Sequence, residues 1–269
     1  DHRDLHSFPT RRSSDLDDCY GAKGLKALIK ELSKSHNLVV IAPDREQSGV
    51  SHSLTFFDPL RFKKIRGNGK CKIYSTNGTP TDCVILGIKH IIKKSRPDLV
   101  ISGINHGSNL GDDISYSGTA AGAKEGTLQG IPSIAISLCS FDKEASFTFA
   151  AKFAALMADR LVNYRMPERM FFNINVPDIP EEEIKGVSIT VQGKSTYKSW
   201  IEKNLDPRKR PMYWIGADLP SGNMDENTDF KAISENKVSI TPVRLDLTDR
   251  NFIKEHGGFC ENLFRLEKL

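Results

Sequence analysis

Hydrophobic and polar positions fall into short alternating blocks along the first two thirds of the chain. Residues 22–34, AKGLKALIKELSK, put Leu25, Leu28, Ile29 and Leu32 on one face at helical spacing. NLVVIAPD follows, a β-branched run ended by Pro43 and Asp44. It reads as a buried parallel strand, apolar on both faces. TDCVILGIKHIIK (81–93) reads as a helix, and RPDLVISGIN as a second buried strand that breaks at Gly103. GTAAGAKEGTLQG reads as a helix of small residues closed by Gly130. PSIAISL is a third strand, 144–163 a longer amphipathic helix, and MFFNINVP a fourth strand.

Strand and helix alternating in this way predict right-handed βαβ units in an α/β fold, a Rossmann-like parallel sheet flanked by helices. Past Pro177 the pattern changes. GVSITVQG and KVSITPV are strand-like and flank a long polar stretch, KNLDPRKRPMYWIGADLPSGNMDENTDF. The expected organisation is an α/β core over 17–177 and a C-terminal extension over 178–269. The extension is built of hairpins and a long loop and is used for oligomerisation. The front of the chain breaks the pattern. A helix at 22–34 leading into a parallel strand calls for a strand before residue 17, where HSFPTRRSS stands. With a proline, two arginines and three serines, that segment is unsuited to a central strand.

Composition narrows the function classes. A chain of 269 residues fits one sizeable domain. Its formal charge of +4, with no dense Lys/Arg block, argues against a nucleic-acid partner. The five cysteines are scattered without a CxxC and read as free thiols in a reducing cytosol. No apolar run approaches the ~18 residues of a membrane span. No apolar segment near the N-terminus suggests a secretory signal, so a cytoplasmic protein without a membrane partner is expected.

In open α/β sheets ligands gather at the carboxyl ends of the strands. The loops expected there carry Asp17 and Asp18, then APDREQSGVSHS, then SGINHGSNLGDDISYSGT. Adjacent carboxylates repel unless a cation lies beside them. Asp17, Asp18, the Ser48 hydroxyl and the Asn105 amide oxygen would make an all-oxygen set of the kind Mg²⁺ or Mn²⁺ takes. Taken alone, the aspartates read rather as caps of the following helix, and it is the other two loops that favour the cation. Ser117, Gly118 and Thr119 directly precede a helix, whose first N–H groups attract an anion. A plain Ser/Thr cap is the simpler alternative. His106 is a candidate general acid and His52 a similar one, although a lone loop histidine is more often a bystander. Asp112 and Asp113 are supporting groups or simple loop acids.

These motifs resemble the SurE (survival protein E) family of metal-dependent 5'/3'-nucleotidases. APDREQSGVSHSLT, NGTPTDCV, RPDLVISGINHGSNLGDDISYSGTAAGAKEG, GIPSIAISL, FFNINVP and VSITPVRLDLTD occur in that family's order, from residue 17 to the low 250s. The resemblance implies hydrolysis of nucleoside monophosphates to nucleoside and phosphate. It implies one divalent cation per subunit, Mg²⁺ or Mn²⁺, on Asp17, Asp18, Ser48 and Asn105, with the two aspartates also catalytic. It implies phosphate binding by Asn109 and by Ser117, Gly118 and Thr119. It also implies a homodimer or homotetramer that exchanges C-terminal elements. A broader polyphosphate or monoester phosphatase, or a non-catalytic nucleotide-binding regulator, are the alternatives. The departures lie at the front. The family leads from a short apolar strand into NDDG, whereas Leu16 and Cys19 stand here for its asparagine and glycine. Back-translated, DHRDLHSFPTRRSSDL resembles a common short-read sequencing adapter. Residues 1–16 are therefore expected to be a non-native segment, excluded from fold reasoning. Loss of a central first strand would expose two neighbouring sheet edges.

Overall fold

The computed structural model describes residues 21–67, 70–93, 96–197, 199–217 and 221–263. Asp17, Asp18 and the whole of 1–16 lie outside the described residues. The chain enters helix α1 (Lys23–Leu32), whose Leu28 and Leu32 are buried as the helical spacing requires. Strand β1 (Leu38–Pro43) follows. Strands β2 (Phe62–Gly67) and β3 (Cys71–Thr76) come next and were not expected. β2 has Phe62 and Ile65 three apart with two lysines between them, which breaks strand alternation, and takes strand form by pairing with β3.

Helix α2 (Pro80–Leu86) starts on a capping box between Thr79 and Asp82, with Pro80 in its first turn. It does not run α-helically to residue 93 as the periodicity suggested. A π-helical turn over Gly87–Ile92 replaces the second half. Strand β4 (Val100–His106) passes through Gly103 rather than breaking there. Gly103 has φ +131°, and a Cβ on it would lie 2.3 Å from the Ile136 carbonyl oxygen. The glycine therefore lets the strand shift register after Ser102 and carry Asn105 onward.

The short helix α3 (Asp113–Tyr116) leads to α4 (Gly118–Leu128). Strand β5 (Ser133–Cys139), helix α5 (Thr148–Leu161) and strand β6 (Met170–Pro177) complete the alternating part. The C-terminal part holds β7 (Val187–Ile189), β8 (Ser195–Thr196), β9 (Ser199–Leu205), β10 (Pro211–Ala217) and β11 (Ser221–Gly222). Helix α6 (Asp229–Ser234), strand β12 (Val238–Arg244) and helix α7 (Arg250–Leu263) end it. β9 and β10 form an antiparallel hairpin inside the stretch that read as polar loop.

Beside the two-stranded pairs β9–β10 and β8–β11, the described residues form two larger sheets, in the orders β1-β3-β2 and β4-β5-β6-β12-β7. β4, β5 and β6 are parallel, and β12 returns antiparallel to β6. Among the described residues no strand pairs with the outer edge of β1 or with that of β4.

The larger sheet is not apolar on both faces. Ile134, Ile136, Leu138, Ile174, Val176 and Ile240 point to one side, where Leu28 and Leu32 of α1 and Ala150 and Ala154 of α5 close over them. Full burial of each such aliphatic chain is worth about 1.5–3 kcal/mol. The alternate positions are small or polar. Ala135 and Phe171 pack with Ala120 and Ala123 of α4. Toward the carboxyl end of β6 the same face carries Ser137, Asn173, Asn175, Ser239 and Thr241, each no more than 3% exposed. A period of two on a doubly covered strand thus sorts apolar side chains from hydrogen-bonding ones.

Candidate active site

The carboxyl ends of β1 and β4 open into loops that meet at the start of α4. Ser51 donates its N–H to the Tyr116 carbonyl (3.0 Å) and its hydroxyl to the Ser115 carbonyl (2.7 Å). A Cβ on Gly118 would stand 3.2 Å from the Gln47 carbonyl oxygen and 3.1 Å from Pro80 Cγ. The loop bearing Ser48 therefore lies directly against the N-terminus of α4. A second tie holds it there. His52 Nε2 lies 3.0 Å from Glu125 Oε2, and Gln129 Nε2 donates to Glu125 Oε1 at 2.7 Å. Glu125 is a buried carboxylate on α4, so its partners satisfy a group that is costly to leave unpaired.

At the mouth of α4, Ser117 caps by accepting the Ala120 N–H at 3.0 Å. Among the described residues nothing accepts from the N–H groups of Gly118 and Thr119. Those donors and the helix dipole make a place for an anion. Both the cap and the anion-site geometry are thus present in the same turn.

Asn105 ends β4 half-buried, and its Nδ2 donates to the Gly107 carbonyl at 2.8 Å. A carbonyl only accepts, so the amide nitrogen is fixed on that side and Oδ1 is left as an acceptor. Ser48 is exposed in its loop. The described donors are neutral oxygens, and no group of three His, Cys, Asp or Glu among the described residues could hold a metal. This oxygen chemistry fits a hard divalent cation if carboxylates complete it; Asp17 and Asp18, the carboxylates named for that place, lie outside the described residues.

Asn109 is buried in a polar network. Its N–H donates to Asn175 Oδ1 (2.8 Å), and its Nδ2 donates to Ser137 Oγ (2.7 Å). Its carbonyl accepts from Asn173 Nδ2 (2.8 Å) and Asn175 Nδ2 (3.0 Å). Further along the loop, Gly111 donates its N–H to Asp229 Oδ2 at 2.8 Å. Asp229 also accepts from the N–H groups of Gly193 and Phe230. Burial pushes the Asp229 carboxyl upward, and the backbone donors pull it only part of the way back. Asp112 exchanges two hydrogen bonds with Ser195, and Asp113 accepts from the Tyr197 hydroxyl at 2.9 Å. Burial first, and then the Asp113 carboxylate, push Tyr197 up to about 12. Asp112 and Asp113 are therefore fasteners between the β4–α4 connection and the C-terminal part.

His106 sits edge-on to Phe147 with ring centroids 5.5 Å apart, and its buried Nε2 has no hydrogen-bond partner among the described residues. Burial pushes the thiols of Cys83 and Cys139 well above their ordinary value, so neither is a thiolate nucleophile.

The sequence reading missed Ser137, Asn173, Asn175, Glu125 and Asp229. For the asparagines the signal was present, since FFNINVP places two carboxamides two apart in an apolar strand. For Asp229 nothing local distinguishes it from its neighbours.

The sequence profile described as "Survival protein SurE" matches residues 16–199. The chain is 47% identical over 233 residues to "5'-nucleotidase SurE" of Pelobacter propionicus, covering 87% of this chain and 92% of that one. It is 45% identical over 239 residues to the protein of the same name from Aquifex aeolicus, covering 88% and 93%. The crystal structure of the SurE protein from Aquifex aeolicus superposes with a TM-score of 0.77 at 43% identity, covering 90% of this chain and 96% of that one.

Proposed function

This chain belongs to the SurE family, and from that premise we propose that it is a divalent-metal-dependent 5'-nucleotidase. Its substrates are nucleoside monophosphates, which it hydrolyses to nucleoside and phosphate. The observation that carries the reading is the pair of N–H groups at Gly118 and Thr119, without an acceptor among the described residues and faced by the Ser48 loop. Asp17, Asp18, Ser48 and Asn105 would hold one cation, Mg²⁺ or Mn²⁺. When bound, such a cation supplies charge to the phosphoryl oxygens and makes water more acidic.

The chain's own residues do the rest. The Gly118 and Thr119 N–H groups and the Ser117 and Thr119 hydroxyls take the phosphoryl oxygens, where charge develops in the transition state. Asn109 keeps the preceding loop in register with them. Asp17 or Asp18 accepts the proton of the attacking water. The Ser51 and His52 contacts keep the Ser48 loop on α4, so the reacting groups are placed before substrate arrives.

The same proposal takes 17–269 as the nucleotidase and 1–16 as non-native. Subunit association as a homodimer or homotetramer is supported by the β9–β10 hairpin, which exposes Ile201, Tyr213, Trp214 and Ile215. Cytoplasmic residence fits the free thiols of Cys83 and Cys139. Among the described residues no helix is long and apolar enough to cross a membrane.

The test is phosphate release from AMP and GMP with Mn²⁺, with Mg²⁺ and with EDTA. It is run on the full chain and on one with residues 1–16 replaced by a short apolar strand ending in Asn. Release that EDTA abolishes, and that the replacement raises, is expected. No release from either folded chain would leave a non-catalytic nucleotide-binding protein. Equal release from both would remove the assignment of 1–16.

A further inference from the structure

The carboxamide of Asn175 meets the backbone of Asn109 twice. Its Oδ1 accepts the Asn109 N–H at 2.8 Å, and its Nδ2 donates to the Asn109 carbonyl at 3.0 Å. The two residues are 66 positions apart, one on β6 and the other in the loop between β4 and α3. A carboxamide that takes both groups of one residue imitates the pairing of a neighbouring strand. Among side chains of this size, only the carboxamide offers a donor and an acceptor side by side without first binding a proton. The substitution Asn175→Asp would keep the acceptor and put a second acceptor against the carbonyl. Asn175→Leu would fill the volume and satisfy neither group.

Asn175 is fully buried, so water does not replace what a substitution removes. Asn173 differs. It gives the same carbonyl one further N–H at 2.8 Å, while its own buried Oδ1 has no partner among the described residues. The clamp thus lies with Asn175, and Asn173 is an auxiliary donor. Asn109 stands between Asn105 and Ser117, the two places where the loop meets the rim described above. Fixing its peptide groups fixes how far the loop reaches from β4 toward α4.

We propose that Asn175 is a positioning residue for phosphate handling, acting by clamping the peptide groups of Asn109; this rests on the nucleotidase reading. It does not touch substrate. Placement errors of the order of an ångström cost up to about 100-fold in rate, so loss of the clamp is read in kcat and in phosphate affinity together.

The test compares the full chain with Asn175→Asp, Asn175→Leu and Asn173→Ala, each in the chain of the two above that releases more phosphate. Turnover of AMP with Mn²⁺ is measured beside calorimetric binding of inorganic phosphate in the presence of Mn²⁺. Both Asn175 variants are expected to lose at least about tenfold in kcat and in phosphate affinity, and Asn173→Ala no more than about threefold. In the unsubstituted chain the Asn109 amide is expected to exchange with deuterium at least about 100-fold more slowly than the Ser108 amide. A folded Asn175→Leu chain within about twofold of the unsubstituted one in both measurements overturns the proposal. So does an Asn109 amide that exchanges as fast as that of Ser108, a result that stands even if the Asn175 variants do not fold. An unsubstituted chain that binds phosphate without turnover refutes the nucleotidase reading instead, and the binding and exchange data still decide the clamp.

Discussion

Removing the Asp229 carboxylate tests whether the C-terminal part holds the loop that leads to α4. Asp229 is 0% exposed. Its Oδ1 accepts from Gly193 (3.0 Å) and Phe230 (2.9 Å), and its Oδ2 from Gly111 (2.8 Å). Asp229→Ala leaves three buried N–H groups without acceptors, each costing about 1–3 kcal/mol. The substitution also removes a carboxylate whose burial is itself unfavourable, which offsets part of that loss. The net expectation is a loss of about 3 kcal/mol in urea unfolding with little change in slope. Asp229→Asn keeps one oxygen for Gly193 and Phe230 but turns an amide nitrogen toward Gly111, so about 1–2 kcal/mol is expected.

The pH dependence separates charge from hydrogen bonding. The folded pKa of Asp229 lies above its ordinary value of 3.8 because burial outweighs the backbone donors. A raised carboxyl pKa means that the folded state binds the proton more tightly. Its contribution to stability is full below the unfolded pKa and is lost as pH rises through the folded pKa. The unsubstituted chain should therefore gain on Asp229→Asn as the medium is acidified from neutral toward pH 3.8. Asp229→Ala stability within about 0.5 kcal/mol of the unsubstituted chain, or a gap that shrinks on acidification, would refute the reasoning.

Three further outcomes are expected. His52→Ala strips a donor from the buried Glu125 carboxylate, 3.0 Å away, and should cost about 1–3 kcal/mol in urea unfolding. His52→Gln, which keeps a donor, should recover part of that, and equal losses from both would remove the tie between the Ser48 loop and α4. Gly24→Ala places a Cβ 2.2 Å from the Ile104 carbonyl oxygen and 3.0 Å from Phe147 Cε1. Overpacking against backbone should cost about 3 kcal/mol, a fall in Tm of roughly 6–12 °C. Gly257→Ala, in α7 with open space around it, should leave Tm unchanged or raise it.

Local order was legible in the sequence. The period of α1, the strand MFFNINVP at its full length and the helix that starts at Gly118 follow from spacing, turn residues and caps, which act over a few positions. The same residues placed Ser48 and Ser117 in loops beyond the sheet, whereas Asn105, expected in a loop, lies within the end of strand β4. Where short-range rules competed, tertiary packing decided. Gly103 read as a break, yet the chain kinks there and continues because the Ile136 backbone needs the space a side chain would fill. FKKIRG has little strand character of its own and becomes β2 through pairing with β3.

The polar half of the larger sheet was beyond local reading. Asn175 meets Asn109 across 66 positions, and Asp229 meets Gly111 across 118. Such partners are chosen by strand order, register and the return of β12 beside β6, none of which has a signature within a window of the chain. Sequence therefore determined most elements of the alternating part, β2 and β3 excepted, and which chemistry lies at their ends. Only the tertiary structure decided which buried amides and carboxylates hold that chemistry in place. A buried hydrogen-bonding group must find its partner wherever the fold brings one, while periodicity records only the side of an element on which it lies.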